Sequence, residues 1–407
     1  MIQKIISIVI VSLILFSCEE EPDIKEFPII TTLSPQNIDE SGATFRGEFV
    51  YDGKNEITSY GFTWDGVEPN IKTSEKIVLG TQPSKGIFET RINSHLGKGF
   101  EYKIRAFATY NDKTVYGNTV TILSKGSEKS IWSKELTGIT LQGWGDTYGF
   151  SDGEDGYVIF QDGKSYRFEP SEGKFYAIAD FPKSGNSGTQ YTSVCVDNIQ
   201  YVFSSINQYL YKLERGLWNI KTKTPFNYGN TYGYSHGYTT QNKIYLLSSS
   251  IAYNYNPFNN AWQKLSSIPI YYSSVGGTDL NGYAYLMDNG NYINEYNPQD
   301  DTWNRISAYP GTYPEGSILF ERYHGNTTGF SHGNTVYFGF CYGEYAKTIG
   351  TSIWGYNLPS NTWNKIEAFP EELKSGEIFY FSIKGKLYIG HGIANYFTIY
   401  SLDMSKL

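Results

Sequence analysis

Cysteine is nearly absent from this chain of 407 residues, with only Cys18, Cys195 and Cys341. Three thiols spread that far apart exclude a disulfide framework. Cys195 in SVCVD and Cys341 in YFGFCYG stand in apolar, strand-like contexts, where a thiol behaves as a small hydrophobe. Histidine is scarce as well. His95, His236, His324, His332 and His391 show no HxH or HxxxH spacing, so no metal signature is present and no cofactor is expected. Positive charge is also short, with 33 Lys and Arg against 41 Asp and Glu and a net charge of −8. That balance excludes nucleic acid, since phosphate binding needs clustered Lys and Arg. What the chain has in quantity is aromatic surface, 17% of its residues, with 37 tyrosines. Such tyrosine richness suits half-buried strands and equally a surface that stacks on sugars or peptides.

Residues 1–17 hold Lys4, the apolar run IISIVIVSLILF and Ser17. A charged start and a short apolar core describe a secretory signal, too short and wrongly flanked for a spanning helix. Ser17 directly before Cys18, with Leu15 three before it, resembles a bacterial lipobox, although Phe16 is bulkier than the usual residue. That resemblance implies that Cys18 becomes the lipidated N-terminus. The alternative is an ordinary cleaved signal with an incidental cysteine. The following EEEPD resembles the surface-export signal of lipoproteins from Bacteroidetes-type bacteria. It implies an outer-membrane, lipid-anchored protein facing outward. A solvated tether over 18–26, holding the first domain off the membrane, is the plainer reading.

The length beyond the signal suggests two or more domains. Over 27–124, ATFRGEFV, SYGFTW, KIVLG, GIFETRI, EYKIRAFATY and NTVTIL alternate apolar and polar residues between Gly, Asn and Asp breaks. About seven such strands in roughly 100 residues predict a β-sandwich. LGKGFEYKIRAFATYNDKTVYGNTVTI resembles the last strands of fibronectin type III domains, and Tyr102 sits where that family places its corner tyrosine. The early-strand Trp of animal members is missing, with Phe45 or Phe49 as its substitute. No catalytic grouping stands out here, and a spacer is the default role.

From 130 to 407 one pattern recurs: FEPSEGKFYAIADFP, YKLERGLWNIKTKTP, YNPFNNAWQKLSSIP, YNPQDDTWNRISAYP and YNLPSNTWNKIEAFP. In all five an aromatic precedes a Trp or Phe by seven residues and a Pro follows seven later. The pairs are Phe168/Phe175, Tyr211/Trp218, Tyr255/Trp262, Tyr296/Trp303 and Tyr356/Trp363. A strand carrying Tyr157, Tyr201, Tyr245, Tyr285 or Tyr337 lies upstream of each. A strand–turn–strand repeat near 43 residues predicts the blades of a β-propeller, with the large aromatics wedged between them. The repeat resembles the kelch family, although the kelch double glycine survives only partially, at Gly339 and Gly343 and at Gly390 and Gly392. The last unit carries Tyr388 and Tyr400, but the chain stops before a fourth strand, while SIWSKEL supplies Trp132 with no partner strand of its own. The N-terminal strand therefore completes the last blade. Six anchors, Trp132, Phe175, Trp218, Trp262, Trp303 and Trp363, predict six blades in an all-β protein.

In such blades the links between strands two and three, and between consecutive blades, open on one face. From the second-strand Tyr to the third-strand aromatic the spacing is 10 to 12 residues, except for 19 between Tyr337 and Tyr356. From blade Pro to the next Tyr it is 16 to 20, except for 27 between Pro310 and Tyr337. Both insertions, 311–330 and 341–352, belong to blade five, and long loops in a regular repeat are usually functional or disordered. They bring Tyr313, Glu315, Glu321, Arg322, Tyr323, His324, Glu344, Tyr345 and Lys347. Neighbouring links add Trp144, Asp146, Tyr148, Asn230, Tyr232, Tyr234 and His236. Aromatic planes beside polar groups suit a neutral glycan. Of these, Trp144, Tyr232, Tyr234, His236, Tyr313, Arg322, Tyr323 and Tyr345 are the candidate ligand contacts, though any single aromatic here is more often a packing residue.

For catalysis only Glu321, His324 and Glu344 are candidates, and solvated loop acids are far commoner than catalytic pairs. His236 and His332 share a GYSHG/GFSHG context that points to a repeated structural role. Kelch-type radical copper oxidases need a Cys–Tyr pair and two His ligands, and no matching set is present. Kelch-type sialic acid mutarotases are nearer in size. Here, however, Arg167, Arg215 and Arg305 fall on strands or the opposite-face turn, leaving only Arg322 on the candidate face. The expected function is a surface lipoprotein binding glycan or a protein partner without chemistry of its own. The alternatives are a sugar epimerase or mutarotase and an envelope scaffold.

Overall fold

Apolar–polar alternation becomes strand almost throughout. The computed structural model describes residues 27–51, 53–81, 83–182, 191–204, 207–225, 235–248, 251–266, 276–288, 292–311, 326–342, 348–374 and 376–407. They divide into two units, the first holding 43–92, 102–122 and the described residues before 38, the second 38–42, 93–101 and 123–407.

The first unit has a three-stranded sheet of Ile29–Asp39, Gly42–Tyr51 and Gly86–Ile92. Its second sheet runs Glu75–Gly80, Ser59–Asp65, Glu101–Tyr110, Lys113–Tyr116, with Val120–Leu123 also pairing with Glu101–Tyr110. Alternation in GATFRGEFVY buries Phe45 and Phe49. Phe45 meets Phe62 and Trp64 of the other sheet edge-on, at 5.9 and 5.5 Å between centroids, a favoured aromatic geometry. Tyr102 is buried too.

The second unit holds six antiparallel sheets in chain order, each built on four strands, the fifth with one short strand more. The first strands are Thr147–Ser151, Tyr191–Val196, Ser235–Thr240, Gly276–Leu280, Asn326–His332 and Glu377–Ile383, and they head sheets one to six. Sheet six takes its fourth strand from Trp132–Thr140, paired with Tyr396–Asp403. From sheet one to sheet five, successive first strands lie against one another, and that of sheet one also lies against that of sheet six. The arrangement is compatible with a β-propeller.

Glycine permits the close approach of these inner strands. A Cβ on Gly149 would sit 2.4 Å from the Tyr380 carbonyl oxygen, and one on Gly329 2.5 Å from that of Gly277. The second-strand tyrosines each face a fixed first-strand position, as in Phe150↔Tyr157, Val194↔Tyr201, Tyr238↔Tyr245, Thr278↔Tyr285, Phe330↔Tyr337 and Phe381↔Tyr388.

The repeated aromatics build this packing. Phe168/Phe175, Tyr255/Trp262, Tyr296/Trp303 and Tyr356/Trp363 are cross-strand partners with ring centroids 4.7–5.2 Å apart. The turn between them needs a left-handed residue, which is Gly173, Asn260, Asp301 or Asn361. Tyr255, Tyr296 and Tyr356 each donate their hydroxyl to the turn side chain of Asn260, Asp301 or Asn361, at 2.6–3.0 Å. That bond explains Tyr at the first position and Asn or Asp five residues later. The indole N–H of Trp218 and Trp132 donates to Ala179 O and Glu367 O, and that of Trp363 to Ser307 Oγ, linking each to the preceding sheet's end.

Sheet two departs from the expected pairing. Its turn is the two-residue Arg215–Gly216, both left-handed, which sets Trp218 opposite Leu213 and Tyr211 opposite Ile220, and a bulge follows at Leu210/Tyr211. Phe181 fills the gap, 4.7 Å from Tyr211 and 5.0 Å from Trp218. Sheet five differs as well. Much of the expected 341–352 loop is strand, since its second and third strands run Thr335–Tyr342 and Thr348–Asn357. Phe340, with φ 50°, marks a bulge there, and Leu373–Lys374 adds a short strand alongside.

Candidate functional site

Of the expected ligand contacts, Tyr232, Tyr234, Tyr313, Arg322, Tyr323 and Tyr345 lie outside the described residues. So do Glu321, His324, Glu344 and Cys18. Trp144 and His236 are described, and they behave differently.

Trp144 is 56% exposed, on the link between the strand Trp132–Thr140 and sheet one. That link is tied down at several points. Leu141 N donates to Asn395 O at 3.1 Å, and the Asn395 amide, oriented to donate, reaches Gly143 O at 2.7 Å. Tyr166 Oη accepts from Gln142 N and donates to Gln142 O, both at 2.8 Å, while Gln161 N donates to Asp146 O at 2.8 Å. Leu141 itself is buried. Holding a large apolar ring in water on an ordered backbone has no benefit for folding.

The turn that Asn395 belongs to carries a second exposed aromatic. Tyr396 is 66% exposed and Ile393 47%. Phe397 and Ile399 are buried, so alternation alone turns Tyr396 outward. Sequence reasoning passed over Tyr396; its place beside Asn395 in the last second-to-third-strand turn was the available signal. Arg305, expected to lie away from this end, also reaches it. Its guanidinium is occupied, donating to the buried Asp288 carboxylate at 3.0 Å and lying 4.4 Å from the Tyr292 ring centre.

His236 is a packing residue, contrary to its expected role as a ligand contact. Its ring lies where a Cβ on Gly277 would come within 2.6 Å. Part of the residue meets solvent, but Nε2 is buried with no hydrogen-bond partner among the described residues. Burial pushes its pKa down to about 4. The shared GYSHG/GFSHG context has no common role either, because His236 stands early in its first strand and His332 ends its own.

A folded-state pKa below the unfolded one means that the unfolded chain binds the extra proton. Stability owed to neutral His236 is therefore complete above pH about 6.5 and declines as pH falls toward 4. Asp279 acts in the opposite sense. Desolvation raises its carboxyl to about 6, so its contribution is complete below the unfolded value of 3.8 and is lost as pH rises through 6. Comparing wild type with His236→Gln cancels the Asp279 effect. Urea titrations at pH 7 and pH 4 should show wild type losing about 2 kcal/mol more than the variant. Equal losses would remove the assignment.

The inner edges of the sheets form a further site. A cavity of about 440 Å³ is lined by first-strand residues of sheets one to four and six. Relative to the residue opposite each second-strand Tyr, flanking positions that line it are Gly149, Ser151, Ser193, Cys195, Gly237, Thr239, Asp279, Tyr380 and Ser382, alternate residues sharing one side. The preceding position is Gly149, Ser193, Gly237, Gly277, Gly329 and, in sheet six, Tyr380. Tyr380 is the one large side chain in that row, and its hydroxyl accepts from Gly329 N at 3.4 Å. The following position is Ser151, Cys195, Thr239, Asp279, Ser331 and Ser382, all polar or small. Cys195 thus lines a polar cavity instead of packing as a simple hydrophobe, and burial pushes its thiol pKa up.

Among the described residues no group of three or more His, Cys, Asp or Glu is placed to hold a metal ion, and no helix is long and apolar enough to cross a membrane. No protein-family model matches the chain, and no curated protein matches it.

Proposed function

We propose that this protein is a lipid-anchored surface lipoprotein whose kelch-like, six-bladed propeller binds glycan without catalysis, carried by a fibronectin III-like spacer. The observation that carries the binding reading is the pair Trp144 and Tyr396, 56% and 66% exposed on hydrogen-bonded supports. Both stand at the sheet ends where second-to-third-strand turns and inter-sheet links emerge, the end to which the sheet-five insertions belong. Aromatic faces stack on the CH faces of neutral sugars, and backbone groups of the adjacent links can take hydroxyls. The fibronectin-like reading of the first unit rests on its two antiparallel sheets of three and five strands and on Tyr102. Cys18 and the acidic run after it support the anchor.

A glycan array probed with wild type and with Trp144→Ala/Tyr396→Ala tests this. Bound glycan should lose about tenfold or more in affinity in the double variant, because each aromatic contact is worth about 0.5–1.5 kcal/mol beyond its area. Binding that survives both substitutions would move the site elsewhere. No glycan binding, with co-purification of one protein, would make the chain an envelope scaffold. Turnover of a sugar abolished by Glu321→Gln would make it an epimerase or mutarotase.

A further inference from the structure

The cavity at the inner strand edges lies apart from the exposed aromatic pair, and its chemistry differs. Its volume of about 440 Å³ falls within the range of small-molecule sites, about 300–1,000 Å³. Its lining is rich in acceptors and, among the described residues, includes no Lys, Arg or His. Ser151, Ser193, Thr239 and Ser382 present hydroxyls, and two carboxylates, Asp152 and Asp279, reach the wall. Asp152 is already engaged. Its oxygens accept from Glu154 N, Asp155 N and Tyr157 Oη at 2.8–3.0 Å. Asp279 is the carboxylate left over, with much of the residue exposed and the carboxylate open to the cavity, and among the described residues the donor to it is its own backbone N–H.

A buried polar atom points the same way. Gln200 lines the cavity and is 3% exposed. Its amide nitrogen donates to Val194 O and Tyr201 O, but its Oε1 has no hydrogen-bond partner among the described residues. A buried acceptor without a donor is destabilising, so folds keep few of them without a reason. Gly149, Ser193 and Gly237 line it with small residues, and Tyr380 bounds it on the side of sheet six.

We infer that this cavity binds a small hydroxylated primary amine, with the ammonium on the Asp279 carboxylate and the ligand's hydroxyls among Ser151, Ser193, Thr239, Ser382 and Gln200 Oε1. One unpaired carboxylate among neutral acceptors selects a single positive charge and many donors. An acidic sugar finds no cation here and is repelled by Asp279. A neutral sugar leaves that carboxylate without its partner.

Cys195 in the wall reports occupancy. The full chain is alkylated with iodoacetamide near neutral pH, and modification of Cys195 is followed by peptide mass mapping. D-Glucosamine is expected to slow that modification, with glucose and N-acetylglucosamine at the same concentration leaving it unchanged. Asp279→Asn should weaken protection by at least about tenfold, as expected for loss of a hydrogen bond to a charged group. Asp279→Ser serves if the amide variant does not fold, both being checked by thermal melting. Equal protection by glucose or N-acetylglucosamine, protection that survives in a folded Asp279 variant, or no protection by glucosamine would each overturn the assignment. The readout is local to Cys195, so it fails or succeeds independently of the glycan array.

Discussion

Trp132→Ala is expected to destabilise the second unit by about 3–5 kcal/mol in a urea titration, the range for removing a large buried aromatic. Trp132 is 1% exposed and begins the strand that completes sheet six. Its ring meets Phe369 and Phe340 edge-on, with centroids 5.0 and 6.0 Å away. Its indole N–H donates to Glu367 O at 3.1 Å. The Glu367 carboxylate in turn accepts from Ser130 Oγ at 2.6 Å and Ile131 N at 3.0 Å. Further along, Lys134 pairs with Glu371, and Glu135 accepts from Ser401 and Lys386. Removing the indole leaves a cavity where the two ends of this unit meet. Without that strand, Tyr396–Asp403 becomes an open edge, ready to pair with another chain. The variant should therefore also aggregate below its unfolding midpoint, visible by light scattering. A loss under about 1 kcal/mol would show that the closure does not depend on this residue.

Gly149→Val is expected to destabilise the same unit by at least about 3 kcal/mol, beyond ordinary overpacking because backbone must move. A Cβ at 149 would lie 2.4 Å from Tyr380 O and 2.9 Å from Tyr380 N. These are main-chain atoms, which cannot rotate away as a side chain can. Gly149 does not have a positive φ, so the penalty comes from proximity and not from backbone conformation. Ser193 occupies the equivalent position in sheet two and already carries a Cβ. Ser193→Ala should then change stability by less than about 0.5 kcal/mol. Similar losses for the two variants would mean that inner-strand spacing is not what Gly149 protects.

Much of this architecture was legible because repeats expose their own geometry. The seven-residue offset between Tyr296 and Trp303 marks a four-residue turn between neighbouring strands, and it recurs with one meaning in four sheets. The same offset misled for Tyr211 and Trp218. Their turn is two residues long, so the register differs by the turn length, which the offset cannot report. The GYSHG/GFSHG match misled for a related reason, as a shared pentapeptide has no register until its strand is placed. Tyr396 went unnoticed because tyrosine is everywhere in this chain, and only burial separates the packing ones from exposed ones such as Tyr396.

The sequence by itself determined the strand pattern, the number of repeats and the borrowed closing strand. Those features follow from local alternation and turn chemistry, which neighbouring residues encode. Only the tertiary structure decided which polar groups converge. Asp279, Gln200, Ser151 and Ser382 lie up to 231 residues apart in the chain and share one wall because successive sheets present the same strand inward. No spacing rule carries that information. It arises from the packing of sheet against sheet, which buries Gln200 Oε1 without a partner among the described residues and leaves Asp279 facing the same space.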